Sequence, residues 1–256
     1  MTAPATLAPS TPASGATRVL AQARYEALTL LRNGEQLLVS MILPAMTLVG
    51  LAFTRSPSLG AGRRIDVAVP GVLALCVIST AFTGQAIQTA FDRRYGVLRL
   101  LGTTPLGRSG LLLGKALAVL AVQAVQLLVL GGIGLALGWQ PRWGGVPAAL
   151  VTIALGTWAF VALALLFAGT LRPEAVLALA NLVWIVLLGI GGVVLPADRM
   201  PGALRVLADI LPSGALGDGL RSALVHGSAN WAEWGVLLLW ALVCTALASR
   251  LFRWSD

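Results

Sequence analysis

The sequence predicts an all-α, polytopic membrane protein. It would have six transmembrane helices, an N-terminal interfacial helix, and a re-entrant or interfacial helical hairpin before the last span. Three observations carry that prediction. Hydrophobic residues make up 57% of the 256 and charged residues 11%, where an ordinary soluble domain is about 25% charged. Mean hydropathy is +0.87, which calls for several spans rather than one globular core. The apolar runs approach span length, and the segments between them hold Arg, Pro and Gly, residues that hydrocarbon or a regular helix resists.

Charge and cysteine content narrow the class further. The net charge is +8, but the arginines punctuate apolar runs instead of gathering in one patch. That spacing excludes nucleic acid and suits basic loops facing anionic lipid. Cys76 and Cys244 both fall inside apolar runs and read as small buried hydrophobes, not as a disulfide or a metal pair. A single histidine, His226, leaves no histidine-based zinc site. Residues 1–16 have no apolar stretch behind a basic start, so they read as a disordered tail and not a secretory signal.

Taken in order, residues 17–33 place Val19, Leu20, Ala23, Ala27, Leu30 and Leu31 near one helical face. Arg18, Gln22, Arg24, Glu26 and Arg32 supply the polar positions. The stretch is too charged to span and fits a helix lying along the membrane surface. The first span is expected at 35–53, kinked by Pro44, and the loop 54–68 is broken by Pro57, Gly60 and Gly62. Span two covers 69–91 and span three 109–138, with Lys115 placed to snorkel toward water. Trp139, Pro141 and Trp143 make a turn with interfacial anchors. Spans four and five are expected at 146–168 and 175–195.

Residues 196–230 are too polar to span and too leucine-patterned for a plain loop. Pro201 opens a helix carrying Leu204, Leu207, Ile210 and Leu211, and Pro212 stops it. A second short helix follows over 215–225, making the hairpin. The acidic Asp198, Asp209 and Asp218 in this region read as solvated charge beside arginines. The last span is 231–251. Six spans put both termini on one side. The larger share of Lys and Arg on that side marks it as cytoplasmic, with Arg55, Arg63 and Arg64 dissenting.

The stretch 92–108 between spans two and three organises the rest. Arg93, Arg94, Arg99 and Arg108 cannot lie in hydrocarbon, yet Leu98, Leu100 and Leu101 want a cover. A short basic helix with an apolar edge, held between two spans, predicts a docking surface.

Few polar residues fall within spans: Gln85 and Gln88 in span two, Gln123 and Gln126 in span three, and Asn181 in span five. Each glutamine pair is spaced i, i+3, which puts both amides on one face. Such faces must point into the bundle, either lining a transport path or making interhelical hydrogen bonds. Glycine clusters at 131–134 and 189–192 permit close helix approach. Gly110 and Gly114-Lys115 superficially suggest a phosphate loop. Only three residues separate the glycines, and alanine follows the lysine, so no nucleotide site is present.

Together these stretches resemble the type 2 ATP-binding-cassette exporter permeases, the drug- and antibiotic-resistance members best. Between spans two and three that family carries a charged start, a Gly, a Leu-Arg pair, a Leu with a following Pro, then Ser and Gly-Lys. Here those are Asp92/Arg93, Gly96, Leu98-Arg99, Leu101 with Pro105, Ser109 and Gly114-Lys115. Before the last span, Pro196, Pro201, Leu211-Pro212 and Leu220-Arg221 match as well, although Ser213-Gly214 departs from the family's usual continuation. The similarity runs from Thr17 onward.

The resemblance implies a permease that dimerises with itself or a sister subunit in the bacterial inner membrane. It would sit on separate ATPase subunits that bind ATP and Mg. Asp92, Arg93, Arg94, Tyr95, Gly96, Val97, Leu98, Arg99 and Leu101 would then form the ATPase-coupling segment. The arginines would steer docking, and Tyr95, Val97 and Leu98 would fill a cleft on the ATPase. The substrate would be an amphipathic drug, antibiotic or lipid-like molecule moved outward. Two rival classes are an ATP-independent secondary carrier and an intramembrane lipid-modifying enzyme. Each calls for carboxylates or an acid–base set at span depth, and no Asp, Glu or His lies centrally in a predicted span.

Overall fold

The computed structural model describes residues 13–54, 63–102, 104–193, 196 and 200–252, and among these there are helices and turns but no strand. Helix α1 is Gly15–Arg32, begun by Ser14, whose hydroxyl accepts the Thr17 amide. Helix α2 covers 34–53 as Gly34–Leu37, a π-helical turn Leu38–Ile42, and Leu43–Phe53. Helix α3 is Arg64–Arg94, with a π-helical segment Ser79–Gly84 at mid-length. The short α4 (Val97–Gly102) leads to α5 (Gly107–Ala136), α6 (Val146–Thr170) and α7 (Pro173–Ile190). Then come α8 (Gly202–Ile210), α9 (Pro212–Arg221, prolonged by a π turn Ser222–His226) and α10 (Trp231–Leu251).

Among the described residues, four helices are long and apolar enough to cross a membrane: Arg64–Arg94, Leu113–Ala136, Trp143–Thr170 and Trp231–Leu251. The apolar parts of the expected spans one and five are shorter helices, Ser40–Phe53 and Pro173–Leu187. Pro44 and the π turn before it interrupt α2, while α7 ends in the bend that follows Ile190. Helix α3 forms the axis: 89% of its apolar window is buried, against 22% in α10. Helices α2, α5, α6, α7 and α9 pack against it, with Phe82 meeting Phe160 and Phe167 of α6, while α10 packs on α6 and α9.

Long-range contacts define two ends of the bundle. At one end Arg63 donates to the Gly138 carbonyl, the Gln140 amide donates to Asp66 at 2.9 Å, and the Arg142 amide donates to the Leu224 carbonyl at 2.8 Å. At the other, Arg18 donates to the Pro105 carbonyl at 2.8 Å and Phe252 packs on Gly169. The described starts and stops of the chain, in α1 and after α10, therefore share an end.

Several sequence-level expectations need correction. Helix α1 starts at Gly15 rather than Thr17, and it buries Ala23, Glu26 and Leu30 while Leu20 is exposed. Its buried face is thus turned so that an acidic residue enters the interior, for a reason given below. The hairpin is unequal. Helix α8 buries only Ala208, with Leu207 and Ile210 exposed, whereas α9 is buried along nearly its whole length against α3, α6 and α10. Of the glycine clusters, Gly134 packs on Val69 and Gly191 on Leu187 and Ser213, while a Cβ at Gly131, Gly132 or Gly189 would meet none of the described residues within 4 Å. Asp198, Pro57, Gly60, Gly62, Arg55, Leu195 and residues 1–12 lie outside the described residues, as do the side chains of Arg108 and Ser109.

Candidate functional site

The predicted docking segment sits between two long helices and is fastened from both sides. Tyr95 and Gly96 turn the chain out of α3, and Gly96 adopts φ +74°, a left-handed conformation that a side chain would strain. The following α4 has two faces. Leu98 is 1% exposed, whereas Tyr95 is 71% and Leu100 69% exposed. Val97, Arg94 and Arg99 are exposed as well, and Leu101 is half-buried. One edge therefore anchors the segment, and the other presents mixed basic and apolar surface.

The arginines divide by role. Arg93 is buried, and its guanidinium donates to the carbonyls of Ala168 and Leu171, each at 2.6 Å. These are orphan acceptors at the C-terminus of α6, where a cation is favoured by both hydrogen bonding and the helix dipole. Arg94 instead pairs with the exposed Glu174 in the first turn of α7. That carboxyl is held below the usual glutamate range, first by its own backbone N–H and then by Arg94 and Arg172. Arg93 thus binds α3 to the α6–α7 turn and is not available for docking. Arg94 and Arg99 face outward.

Asp92 is the other fastening. Lys115 of α5 does not snorkel: it is buried, with Nζ 2.8 Å from Asp92 Oδ2 and 3.0 Å from Glu26 Oε1. Gln88 donates to the second Glu26 oxygen at 2.7 Å and Gln22 to the first at 3.0 Å. This explains why α1 turns Glu26 inward. A lysine buried between α1, α3 and α5 needs carboxylates from its neighbours, and burial of Glu26 is tolerable only because its oxygens are fully engaged. Gly110 and Gly114 let α1 approach: a Cβ at Gly114 would meet Gln22 Cγ at 2.9 Å. The false phosphate loop is therefore a small-xxx-small packing stripe.

Deeper in the bundle, the predicted polar residues separate into two kinds. Gln126 joins three helices. Its amide donates to Ser40 Oγ at 3.0 Å, and its oxygen accepts from Thr80 Oγ1 at 2.8 Å and from the Cys76 thiol at 3.3 Å. Ser40 and Thr80 lie in the π-helical segments of α2 and α3, which meet at the same depth. Pro44 has no N–H for the carbonyl four residues earlier. That carbonyl belongs to Ser40 and lies 3.3 Å from the Cys76 thiol. Gln123 accepts from Thr157 at 2.8 Å and reaches the Val77 carbonyl. For these two glutamines the interhelical hydrogen-bonding reading holds.

Gln85 and Asn181 behave differently. Gln85 is fully buried, and neither of its amide atoms has a hydrogen-bond partner among the described residues; the Thr83 and Thr89 hydroxyls nearby are likewise unmatched. Asn181 lies on the open face of α7 and returns its amide to the Leu177 carbonyl at 3.0 Å. The five residues do not converge on one lining. Arg221, which the sequence marked only as part of a family motif, is buried and caps the carbonyls of Gly192 and Val193 beyond α7 while pairing with Asp218 at 3.2 Å. Arg93 and Arg221 thus perform the same service at opposite ends of the bundle.

A bundle of long apolar helices, fastened internally by buried ion pairs and amides and presenting a basic elbow at one end, is a multi-pass membrane protein. Residues 36–250 match the model of the ABC-2 family transporter proteins, and the chain belongs to that family. It is therefore a membrane component of an ABC transporter, a class that normally works with ATP-binding-cassette ATPase partners. Comparison with curated proteins finds no match.

Proposed function

We propose that this chain is the permease subunit of an ATP-driven exporter and that Asp92 to Leu101 receives the motion of a separate ATPase. One observation carries this reading. The exposed side chains of the segment (Tyr95, Val97, Arg99 and Leu100) are mounted on a stretch fastened to α5 through Asp92 and to the end of α6 through Arg93, with Leu98 buried. A surface so mounted transmits a push as rigid-body movement of the helices behind it. Arg94 and Arg99 orient the partner, while Tyr95, Val97 and Leu100 fill its cleft.

In this reading α2, α3, α5, α6, α7 and α10 are the six spans, with both termini cytoplasmic in a bacterial inner membrane. The short α2 and α7 have 20 and 18 residues by their bounds, roughly 27–30 Å of helix, at the short end of what a core of about 30 Å requires. ATP and Mg belong to the partner. A second copy or sister permease covers the open face of α7, where the Asn181 amide is better placed against protein than lipid. Gln85 is the residue of the predicted path best suited to meet a polar group of an amphipathic drug, antibiotic or lipid-like substrate, because its amide is unmatched.

Co-expression with the ATPase tests the proposal. The wild-type pair co-purifies and shows substrate-stimulated ATP hydrolysis. Arg94→Glu with Arg99→Glu abolishes the stimulation while the permease remains folded. Unchanged stimulation in that variant sinks the proposal.

A further inference from the structure

We propose that Gln85, Gln88 and Thr89 bind a pair of internal water molecules beside the Glu26–Lys115–Asp92 cluster, wetting the bundle from the elbow as far as Gln85. The stretch Gln85–Arg94 of α3 is regular α-helix, so Gln85, Gln88, Thr89 and Asp92, spaced i, i+3, i+4 and i+7, share one face. Gln88 and Asp92 show where that face points. Gln88 Nε2 donates to Glu26 at 2.7 Å, and Asp92 accepts from Lys115 at 2.8 Å. Along the same face, four buried atoms have no hydrogen-bond partner among the described residues: Gln85 Oε1 and Nε2, Gln88 Oε1 and Thr89 Oγ1. Gln85 is 0% and Thr89 1% exposed, so bulk solvent does not serve them. Thr89 adds a separate sign. Helical threonines can return the hydroxyl to the carbonyl four residues back, as Thr29, Thr47, Thr152 and Thr170 do in this chain. The Thr89 hydroxyl makes no such bond and is left for another ligand.

The unmatched atoms select the ligand. Donors and acceptors occur together, so an ion of either sign leaves part of the set unanswered. A cation would also face the Lys115 ammonium, and an anion the carboxylates of Glu26 and Asp92. Burial this complete suits only a small neutral molecule that both donates and accepts, which is water. Internal waters make about three hydrogen bonds each, so two waters bonded to one another answer all four protein atoms. Their way in is at the elbow. The Asp92 side chain is 23% exposed where that of Lys115 is 3%, and Gln85 lies roughly 10 Å along the helix from Asp92.

Under the substrate path proposed above, a polar group arriving at Gln85 displaces these waters; the water site itself depends neither on that path nor on the ATPase. The test is a structure of the full wild-type chain in lipid nanodiscs, at a resolution that shows ordered water. Two waters are expected within hydrogen-bond reach of the Gln85 amide, Gln88 Oε1 and Thr89 Oγ1. Stability gives a second reading of opposite sign for a wet and a dry site. Thr89→Val keeps the shape and deletes the hydroxyl. With water present it orphans a bound molecule and is expected to lower the thermal unfolding midpoint by about 2–4 °C. At a dry site it removes an unmatched hydroxyl, and the midpoint stays or rises. Should the valine variant not fold, the wild-type structure decides alone. Gln85 and Thr89 bonded to protein atoms instead of water overturn the proposal. So does an ion in place of water, or a valine variant at least as stable as wild type. Failure of substrate transport or of ATPase coupling in other variants leaves each of these results standing.

Discussion

The ammonium of Lys115 lies 2.8 Å from a carboxylate oxygen of Asp92, joining the helix that enters the docking segment to the helix that leaves it. Glu26 completes the arrangement from α1 at 3.0 Å. Removing one partner of a buried ionic group leaves the others without compensation, at a cost of about 3–5 kcal/mol. Lys115→Met is therefore expected to lower the thermal unfolding midpoint sharply in detergent. Combining it with Glu26→Gln costs less than the two single changes summed, because the pair is removed together. A strictly additive double-mutant cycle contradicts the cluster.

Adjacent arginines separate cleanly. Arg93→Ala strips the buried carbonyls of Ala168 and Leu171 of their donors and is expected to destabilise by about 2–3 kcal/mol. Arg94 and Glu174 are an exposed pair, with side chains 47% and 65% exposed. Arg94→Ala is expected to leave stability nearly unchanged, because water screens an exposed pair. Chemical unfolding of the two variants side by side decides the assignment.

Gln126 bridges the π-helical segments of α2 and α3, so Gln126→Leu leaves Ser40 and Thr80 without their buried partner. In a background with Cys244→Ser, the Cys76 thiol of the wild-type bundle is fully buried and resists a small maleimide. The Gln126→Leu variant is expected to expose it at least tenfold faster through local opening. Equal labelling rates refute the bridge as a fastening.

Packing of α1 depends on a glycine. Gly114→Ile drives a branched side chain into Gln22 and the Ala23 backbone, and it is expected to release α1, seen as faster amide exchange over Gly15–Arg32. Unchanged protection of that helix rules out the close contact.

Much of this architecture was legible because its causes are local. Apolar runs, the Pro201 and Pro212 punctuation and the arginine-rich elbow announce helices and their limits before any contact is known. What could not be read depends on partners distant in sequence. Glu26 has the appearance of a solvated polar position on α1, and only the buried Lys115, reached across Gly110 and Gly114, gives it a reason to turn inward. Arg93 and Arg94 are equivalent as residues, but the carbonyls that claim Arg93 belong to the end of α6. The glutamine spacing marks inward faces in both spans, with Gln85, Gln123 and Gln126 buried and Gln88 donating to the buried Glu26. Whether an amide bonds to a neighbouring helix, as Gln126 does, or stays unmatched, as Gln85 does, is set by which hydroxyls arrive opposite it. The Ser40 carbonyl beside Pro44 gave a usable signal: a proline deep in an apolar helix leaves an acceptor four residues back that some donor must serve.

Single-cysteine cross-linking to the ATPase, scanned across α4, tests the central claim most directly. Tyr95→Cys, Arg99→Cys and Leu100→Cys are expected to link to the partner, whereas the buried Leu98→Cys does not. Linkage at none of the exposed positions, or labelling of 95 and 99 only by reagents confined to the outer side of the membrane, contradicts it.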